Sequence, residues 1–198
     1  MKRILFICTG NTCRSPMAEA FLKGLAYEKG LTVAVRSAGI STVNGMPVSA
    51  NSLHALNRRG IQHTGSSSVL QEEILEWADL VLTMTSAHKR DLLQQYAHMM
   101  DKTFTLKEFA YMDEDLQQII TELESLYTDM QMKQILGQPV EEKQRQRLMA
   151  LERTIPSFDI ADPYGGTQSH YDHCADELEE AIFKLVDKLL LLRNQQQK

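Results

Sequence analysis

The stretch FICTGNTCRSPMAEA, residues 6–20, changes from an apolar run to a polar loop and then to a helical pattern within fifteen residues. The apolar run at residues 3–7 predicts a short buried strand. Pro16 suits the first turn of a helix, and Ser15 before it is placed to cap that helix. A strand, a tight loop and a helix in this order are typical of the start of an α/β sheet domain.

Three further apolar stretches predict strands, at residues 32–39, 78–84 and 102–106. Helices are expected at residues 48–60, ending at Gly60, at residues 86–97, beginning with Ser86 as a cap, and at residues 176–198, which close in a polar tail. Because strands alternate with helices, we expect an α/β fold with an open, four-stranded, mostly parallel sheet flanked by helices. The loop between the first strand and the first helix then lies at the carboxyl edge of the sheet, where ligands bind in such folds.

Residues 113–157 differ in character from the rest of the chain. Apolar residues trace one helical face among Gln, Glu and Asp, then Gly137 and Pro139 interrupt the pattern, and a second polar helical segment follows. The sequence therefore predicts a single domain over residues 1–198 with an inserted helical hairpin at 113–157. The hairpin is either a solvent-exposed pair of helices that packs one face on the rest of the domain, or a segment that covers the site or binds a partner.

Composition excludes several classes of protein. The chain has 198 residues, 43% of them hydrophobic, and a formal net charge of -5, which argues against a broad nucleic-acid-binding surface. No apolar run approaches the roughly 20 residues needed to span a bilayer, and the opening run is too short for a signal peptide. Three cysteines do not make a secreted disulfide framework. These features predict a cytoplasmic protein and leave the oligomeric state open.

The loop from Cys8 to Arg14 has the composition of an anion-binding site. Its five intervening residues include Gly10, which allows the backbone to curl so that its N–H groups point at one centre. The helix that follows adds its positive end. The forked guanidinium of Arg14 can clamp two phosphate oxygens, and Cys8 in the same field is expected to be a thiolate and hence a nucleophile.

Two other kinds of site fit this loop less well. A nucleotide-binding P-loop ends in Gly-Lys-Ser/Thr, which is missing here. A zinc site needs more ligands at suitable spacing, and Cys174 with the scattered histidines supplies no convincing set, although the HYDHC cluster at residues 170–174 is a minor candidate. We therefore expect no metal and no cofactor.

The octet CTGNTCRS with the following Pro16 resembles the signature of the low-molecular-weight protein tyrosine phosphatase family, which is a Cys, five residues, an Arg and a Ser or Thr. The resemblance extends to VRSAG at 35–39, ADLVLTMT at 78–85 and DPYGG at 162–166. It covers residues 1–111 and 161 to the end and leaves the hairpin outside. It implies a protein phosphatase that forms a phosphocysteine intermediate on phosphorylated protein substrates.

The resemblance also implies roles for particular residues. Cys8 is the nucleophile, Arg14 holds the phosphoryl group, and Asp162 is the general acid that later activates water. Asp159 lacks the proline that follows Asp162 and is expected to be a surface charge. His88, after the third strand, is expected to belong to the first turn of its helix, with a contact to the loop as the alternative.

Further residues are expected to shape the loop. The resemblance implies that Asn11 and Ser37 brace it and that Ser15 donates to the thiolate. Cys13 corresponds to the family's second loop cysteine, which can form a reversible disulfide with Cys8, or it is a small packed residue. The expected substrate-binding residues are Thr9, Gly10, Asn11, Thr12, Cys13, Ser15 and Tyr164.

Thr12 is the most informative position for the substrate. The loop resembles that of the bacterial protein arginine phosphatases, in which this threonine tunes the pocket for phosphoarginine. A β-branched side chain narrows the mouth of the pocket, and its hydroxyl offers a polar partner to a guanidinium group. Tyr164 is expected to stack on the substrate, and a tyrosine there is common in the tyrosine phosphatases, so phosphotyrosine is the alternative substrate.

Two other activities are less favoured. Arsenate reductases share this loop but use further cysteines after the third strand, and the corresponding segment here, TMTSAHKRDLLQQYA at residues 83–97, has no cysteine. An inactive adaptor would be expected to lack Cys8, Arg14 or Asp162, and all three are present.

Overall fold

The computed structural model describes residues 2–195, so the last three residues of the expected polar tail lie outside it. Four strands form one sheet: β1 Lys2–Cys8, β2 Val33–Gly39, β3 Leu80–Thr83 and β4 Thr103–Thr105. Their order is β2-β1-β3-β4, and each neighbouring pair is parallel. The predicted α/β fold with a four-stranded parallel sheet is confirmed.

Eight α-helices lie within residues 2–195. They are α1 Arg14–Glu28, α2 Ala50–Asn57, α3 Glu72–Trp77, α4 Ser86–Gln95, α5 Leu106–Tyr111, α6 Glu114–Ile135, α7 Glu142–Thr154 and α8 Gln168–Gln195. A short 3-10 helix at Ala97–Lys102 precedes β4. No helix in the described part of the chain is both long enough and apolar enough to cross a membrane.

Both faces of the sheet are buried, and β1 shows why its sequence is a continuous apolar run. Ile4 and Phe6 point into a core that includes buried residues of α1 and α8. Leu5 and Ile7 point the other way, into a second core with residues of α3 and α4. Central strands of parallel sheets have this pattern because helices cover both faces.

The structure corrects two predicted helix caps. α1 begins at Arg14, so Ser15 lies inside its first turn, and the N-cap residue Cys13 makes no side-chain capping bond. The Ser15 hydroxyl instead faces the loop. α4 begins at Ser86, and its cap is Thr85, whose Oγ1 accepts a hydrogen bond from the His88 backbone N–H at 3.2 Å.

The chain divides into two compact units: Met112–Ser157, and the remainder, which holds the sheet. In the smaller unit α6 and α7 form the expected helical hairpin. Glu122 and Arg147 pair across it at 2.6 Å, and Tyr127 donates a hydrogen bond to Glu152. Asp113 caps α6 by accepting from Leu116 N–H at 2.8 Å.

Candidate active site

The loop between β1 and α1 curls around the Cys8 sulfur. The Asn11 backbone N–H donates to Cys8 Sγ at 3.2 Å, and Ser15 Oγ lies 3.0 Å from the same atom. Cys8 is the last residue of β1, so the sulfur lies at the carboxyl edge of the sheet, directly at the N-terminus of α1. Hydrogen-bond donors and the positive end of α1 thus surround one sulfur atom.

Asn11 is the centre of the predicted brace. Its φ is 51°, a left-handed conformation that asparagine tolerates better than most residues. Its Nδ2 donates to Ser15 Oγ and Ser37 Oγ, both at 2.9 Å, and its Oδ1 accepts from Ser68 N–H at 2.8 Å. Ser37 in turn donates to Glu19 at 2.6 Å. Sequence reasoning missed Ser68, which lies in a segment without a recognisable motif, and Glu19, which lies in the first helix beyond the loop signature.

Gly39, the last residue of β2, lets the loop pack closely against the sheet. A Cβ at this position would lie 2.8 Å from the Thr9 carbonyl oxygen and 2.9 Å from Thr42 Cγ2. Both distances are shorter than ordinary contacts, and one of the atoms belongs to the backbone. The fit of the loop on β2 therefore requires a glycine here.

We expect Gly39→Ala to lower the free energy of unfolding by about 1–3 kcal/mol, the range for overpacking, and to weaken inhibition by inorganic phosphate. The matched control is Gly24→Ala in α1, where a Cβ meets nothing within 4 Å. Alanine at a helical position should raise stability by about 0.5–1 kcal/mol. Urea unfolding and phosphate inhibition of both variants test the prediction, and a Gly39→Ala protein as stable as the wild type would contradict it.

Arg14 and Asp162 meet at the mouth of the loop. Arg14 is buried, and its Nη2 donates to Asp162 Oδ2 at 2.8 Å. The Asp162 side chain is 53% exposed, and its Oδ1 accepts the Tyr164 N–H at 3.1 Å, which orders the Asp-Pro turn. The structure thus places Asp162 directly beside Arg14, although 148 residues separate them.

Asp159 has a different position from Asp162. It is exposed, as expected, but its Oδ1 also accepts from the Ser86 N–H at 2.7 Å and from Ser86 Oγ at 2.9 Å. It therefore anchors the start of α4.

A cavity of about 300 Å³ opens above Cys8. Its lining is Cys8, Thr9, Gly10, Thr12, Cys13, Arg14, Ser41, Thr42, Met46, Asp162 and Tyr164. Of the expected substrate-binding residues, Asn11 and Ser15 do not line it and are buried. Ser41, Thr42 and Met46 were missed, although they follow the carboxyl end of β2, where the fold rule places ligand-binding loops.

Cys13 lies on the side of the loop that faces α8. Its Sγ is 3.6 Å from both Ser49 Oγ and Tyr171 Oη, and burial, assisted by Cys13, raises the pKa of Tyr171 to about 12. The three cysteines are free thiols in this structure. The Cys13 contacts are those of a packed residue, and its redox role stays a prediction.

The side chains of the HYDHC segment that could bind a metal, two histidines and a cysteine, do not share one exposed surface of the helix. Cys174 is fully buried, which raises the pKa of its thiol to about 12, whereas His170 and His173 are exposed. Across residues 2–195 no group of three or more His, Cys, Asp or Glu side chains is arranged to hold a metal ion.

The sequence of this chain is similar to those of known phosphatases. Residues 3–122 match the family model described as low molecular weight phosphotyrosine protein phosphatase. The chain belongs to this family. Among its phosphatase relatives are the protein-arginine-phosphatase of Bacillus subtilis, 35% identical over 94% of this chain and 95% of the relative, and PtpB of Staphylococcus aureus, a low molecular weight protein-tyrosine-phosphatase 29% identical over 93% and 97%.

Solved phosphatase structures agree with the fold. The YwlE arginine phosphatase from Geobacillus stearothermophilus superposes with a TM-score of 0.72 at 34% identity, covering 98% of this chain and 97% of that one. A cysteine-to-serine mutant of YwlE with a phosphorylated active-site serine matches with a TM-score of 0.70 at 34% identity, over 94% and 95%.

Proposed function

We propose that this protein is a cytoplasmic, cysteine-dependent protein phosphatase that hydrolyses phosphoarginine in protein substrates. The observation that carries the proposal is one cavity in which Cys8 and Arg14 lie with the phosphate-binding loop, with Asp162 at its mouth. The domain is a single phosphatase domain over residues 1–198, with residues 113–157 inserted into it.

The first half of the reaction transfers the phosphoryl group to the enzyme. The loop N–H groups, the α1 terminus and Arg14 hold the phosphoryl oxygens. The Cys8 thiolate attacks phosphorus, a P–S bond forms, and the P–N bond of phosphoarginine breaks as the electron pair leaves with the nitrogen. Asp162 donates a proton to that nitrogen, because an unprotonated guanidine nitrogen is a poor leaving group.

The second half regenerates the thiol anion. The Asp162 carboxylate now accepts a proton from water, and the resulting nucleophile attacks phosphorus in line with the P–S bond. The P–S bond breaks, inorganic phosphate leaves, and Cys8 recovers its negative charge. Ser15, 3.0 Å from the sulfur, stabilises the departing thiolate.

Thr12 supports phosphoarginine over phosphotyrosine. It lines the cavity, and its carbonyl accepts the Ser49 N–H at 2.8 Å, so its backbone is held in place. Its hydroxyl is a suitable acceptor for a guanidinium N–H, and a phenyl ring has no such donor. The arginine phosphatases among the relatives support the same choice.

Phosphotyrosine is the second candidate substrate because of Tyr164. This side chain is 80% exposed at the edge of the cavity, where it can stack on a flat ring, and tyrosine phosphatases are also among the relatives.

The experiment compares phosphoarginine-labelled and phosphotyrosine-labelled protein as substrates for wild type, Thr12→Ile and Thr12→Ser. We expect wild type to prefer phosphoarginine and Thr12→Ile to lower that preference by about 10- to 100-fold, the value of one pocket contact. Thr12→Ser keeps the hydroxyl and should keep most of the preference. Preference of the wild type for phosphotyrosine would overturn the assignment of phosphoarginine as the substrate. An unchanged ratio of the two activities in Thr12→Ile would show that Thr12 does not determine the preference.

A further inference from the structure

His88 contacts the catalytic loop although it belongs to another element. It is the third residue of α4, beyond the carboxyl end of β3, and is 8% exposed. Its Nε2 lies 2.8 Å from Thr9 Oγ1, and its Nδ1 lies 2.9 Å from Thr85 Oγ1. Both expected placements of His88 therefore hold: it is in the first turn of its helix, and it touches the loop.

The distances around His88 fit either tautomer of the imidazole, and one of the two uses the Thr85 hydroxyl as the donor to the ring. Thr85 Oγ1 already accepts the His88 backbone N–H, so its own hydrogen is available to donate to Nδ1. A neutral imidazole has one acceptor nitrogen and one donor nitrogen. With Nδ1 accepting, the Nε2–H donates to Thr9 Oγ1, and the hydroxyl hydrogen of Thr9 is directed away from the imidazole.

The surroundings of His88 favour this neutral form. Burial lowers its pKa below the ordinary value, and the positive charge of Arg14 lowers it further. The carboxylates of Asp162, Asp91 and Asp159 act in the opposite direction without reversing the shift. At neutral pH the imidazole is therefore mainly uncharged.

We propose that His88 is a positioning residue that, together with Thr85, holds the Thr9 hydroxyl as a hydrogen-bond donor into the cavity for a phosphoryl oxygen. Thr9 directly follows the nucleophile and lines the same cavity as Cys8 and Arg14. Consecutive hydrogen bonds polarise one another, so a hydroxyl that accepts from Nε2–H is a better donor than a free one. This proposal rests on the proposed function, because it assigns a donor for the group that is transferred.

A double-mutant cycle tests the proposal. We expect Thr9→Val and His88→Leu each to weaken binding of inorganic phosphate, measured by calorimetry, and to lower kcat/KM for 4-nitrophenyl phosphate by about 10-fold, the effect of one hydrogen bond to a charged group. Because His88 acts through the Thr9 hydroxyl, the double variant should be no worse than Thr9→Val alone. Losses that multiply would overturn the proposal, as would a Thr9→Val protein that matches the wild type.

Two more variants separate positioning from packing. The amide of Gln reaches the place of Nε2 and can donate, so His88→Gln should stay within about 3-fold of wild type. The shorter Asn can bond to Thr85 but does not reach Thr9, so His88→Asn should behave like His88→Leu and replaces it if the latter does not fold. Equal losses in the Gln and Asn variants would contradict the proposal. Since phosphate binding needs no turnover, a wild type that binds phosphate but hydrolyses no phosphoprotein would overturn the proposed function alone.

Discussion

Replacing Cys8 with serine is expected to lower kcat by at least about 10³-fold, the scale seen when a covalent nucleophile is removed. A serine hydroxyl is not ionised near neutral pH, so the loop that stabilises a thiolate has no comparable nucleophile to present. Phosphate binding should persist, because the loop N–H groups and Arg14 are unchanged. Steady-state kinetics with 4-nitrophenyl phosphate and calorimetry with inorganic phosphate measure the two effects separately.

Cys174→Ala is the matched control for this substitution. Cys174 lies outside the cavity, and burial raises its pKa to about 12, so it contributes no thiolate. This variant should keep its kcat, with only a loss of stability from the removed sulfur. Iodoacetamide at pH 8 should inactivate the wild type and the Cys174→Ala protein equally, and phosphate should protect both. Activity in Cys8→Ser close to that of the wild type would remove Cys8 from the mechanism.

Asp162→Asn is expected to lower kcat by about 10²- to 10⁴-fold, the usual contribution of a general acid. The loss should depend on the leaving group: it should be smaller with 4-nitrophenyl phosphate, whose phenolate leaves without a proton, than with phenyl phosphate or phosphoarginine. Asparagine keeps the oxygen that accepts the Tyr164 N–H, so the turn is preserved. Rates with a series of aryl phosphates measure this dependence.

Asp159→Asn is the control for Asp162→Asn, because both carboxylates lie on the same short segment. Asparagine keeps an oxygen that can accept from Ser86, so Asp159→Asn should leave both the stability and the dependence on the leaving group close to those of the wild type. If Asp162→Asn lost only phosphate affinity at an unchanged kcat, or if both variants showed the same kinetics, Asp162 would not be the acid.

The fold was predictable from the sequence because its central strand is buried on both faces. A strand such as β1 has no polar face, so a short apolar run bounded by a polar loop marks it clearly. The helix starts were less predictable. Ser15 has the residue type of a cap, but its hydroxyl bonds to Asn11 and lies beside Cys8, and that geometry depends on how the loop curls.

The same distinction applies to the site. The shared position of Cys8 and Arg14 at the carboxyl edge of the sheet was predictable because the loop that holds them is contiguous in sequence. Ser68 and His88 were missed or undervalued because each reaches the loop only after the strands have paired. Their residue types are common, and only the register of the strands brings them to the edge where Cys8 lies. Glu19 was missed because it bonds to Ser37 of β2 and not to the loop itself.

The ion pair between Arg14 and Asp162 has a consequence for how the enzyme competes for its ligands. The Asp162 carboxylate occupies one donor of the Arg14 guanidinium group, Nη2. Under the proposed roles, the Asp162 carboxylate thus competes with the phosphoryl group of the substrate for Arg14, and it leaves and returns to Arg14 in every turnover. Inorganic phosphate meets the same competition, so the ion pair favours release of the product as much as it weakens binding of the substrate.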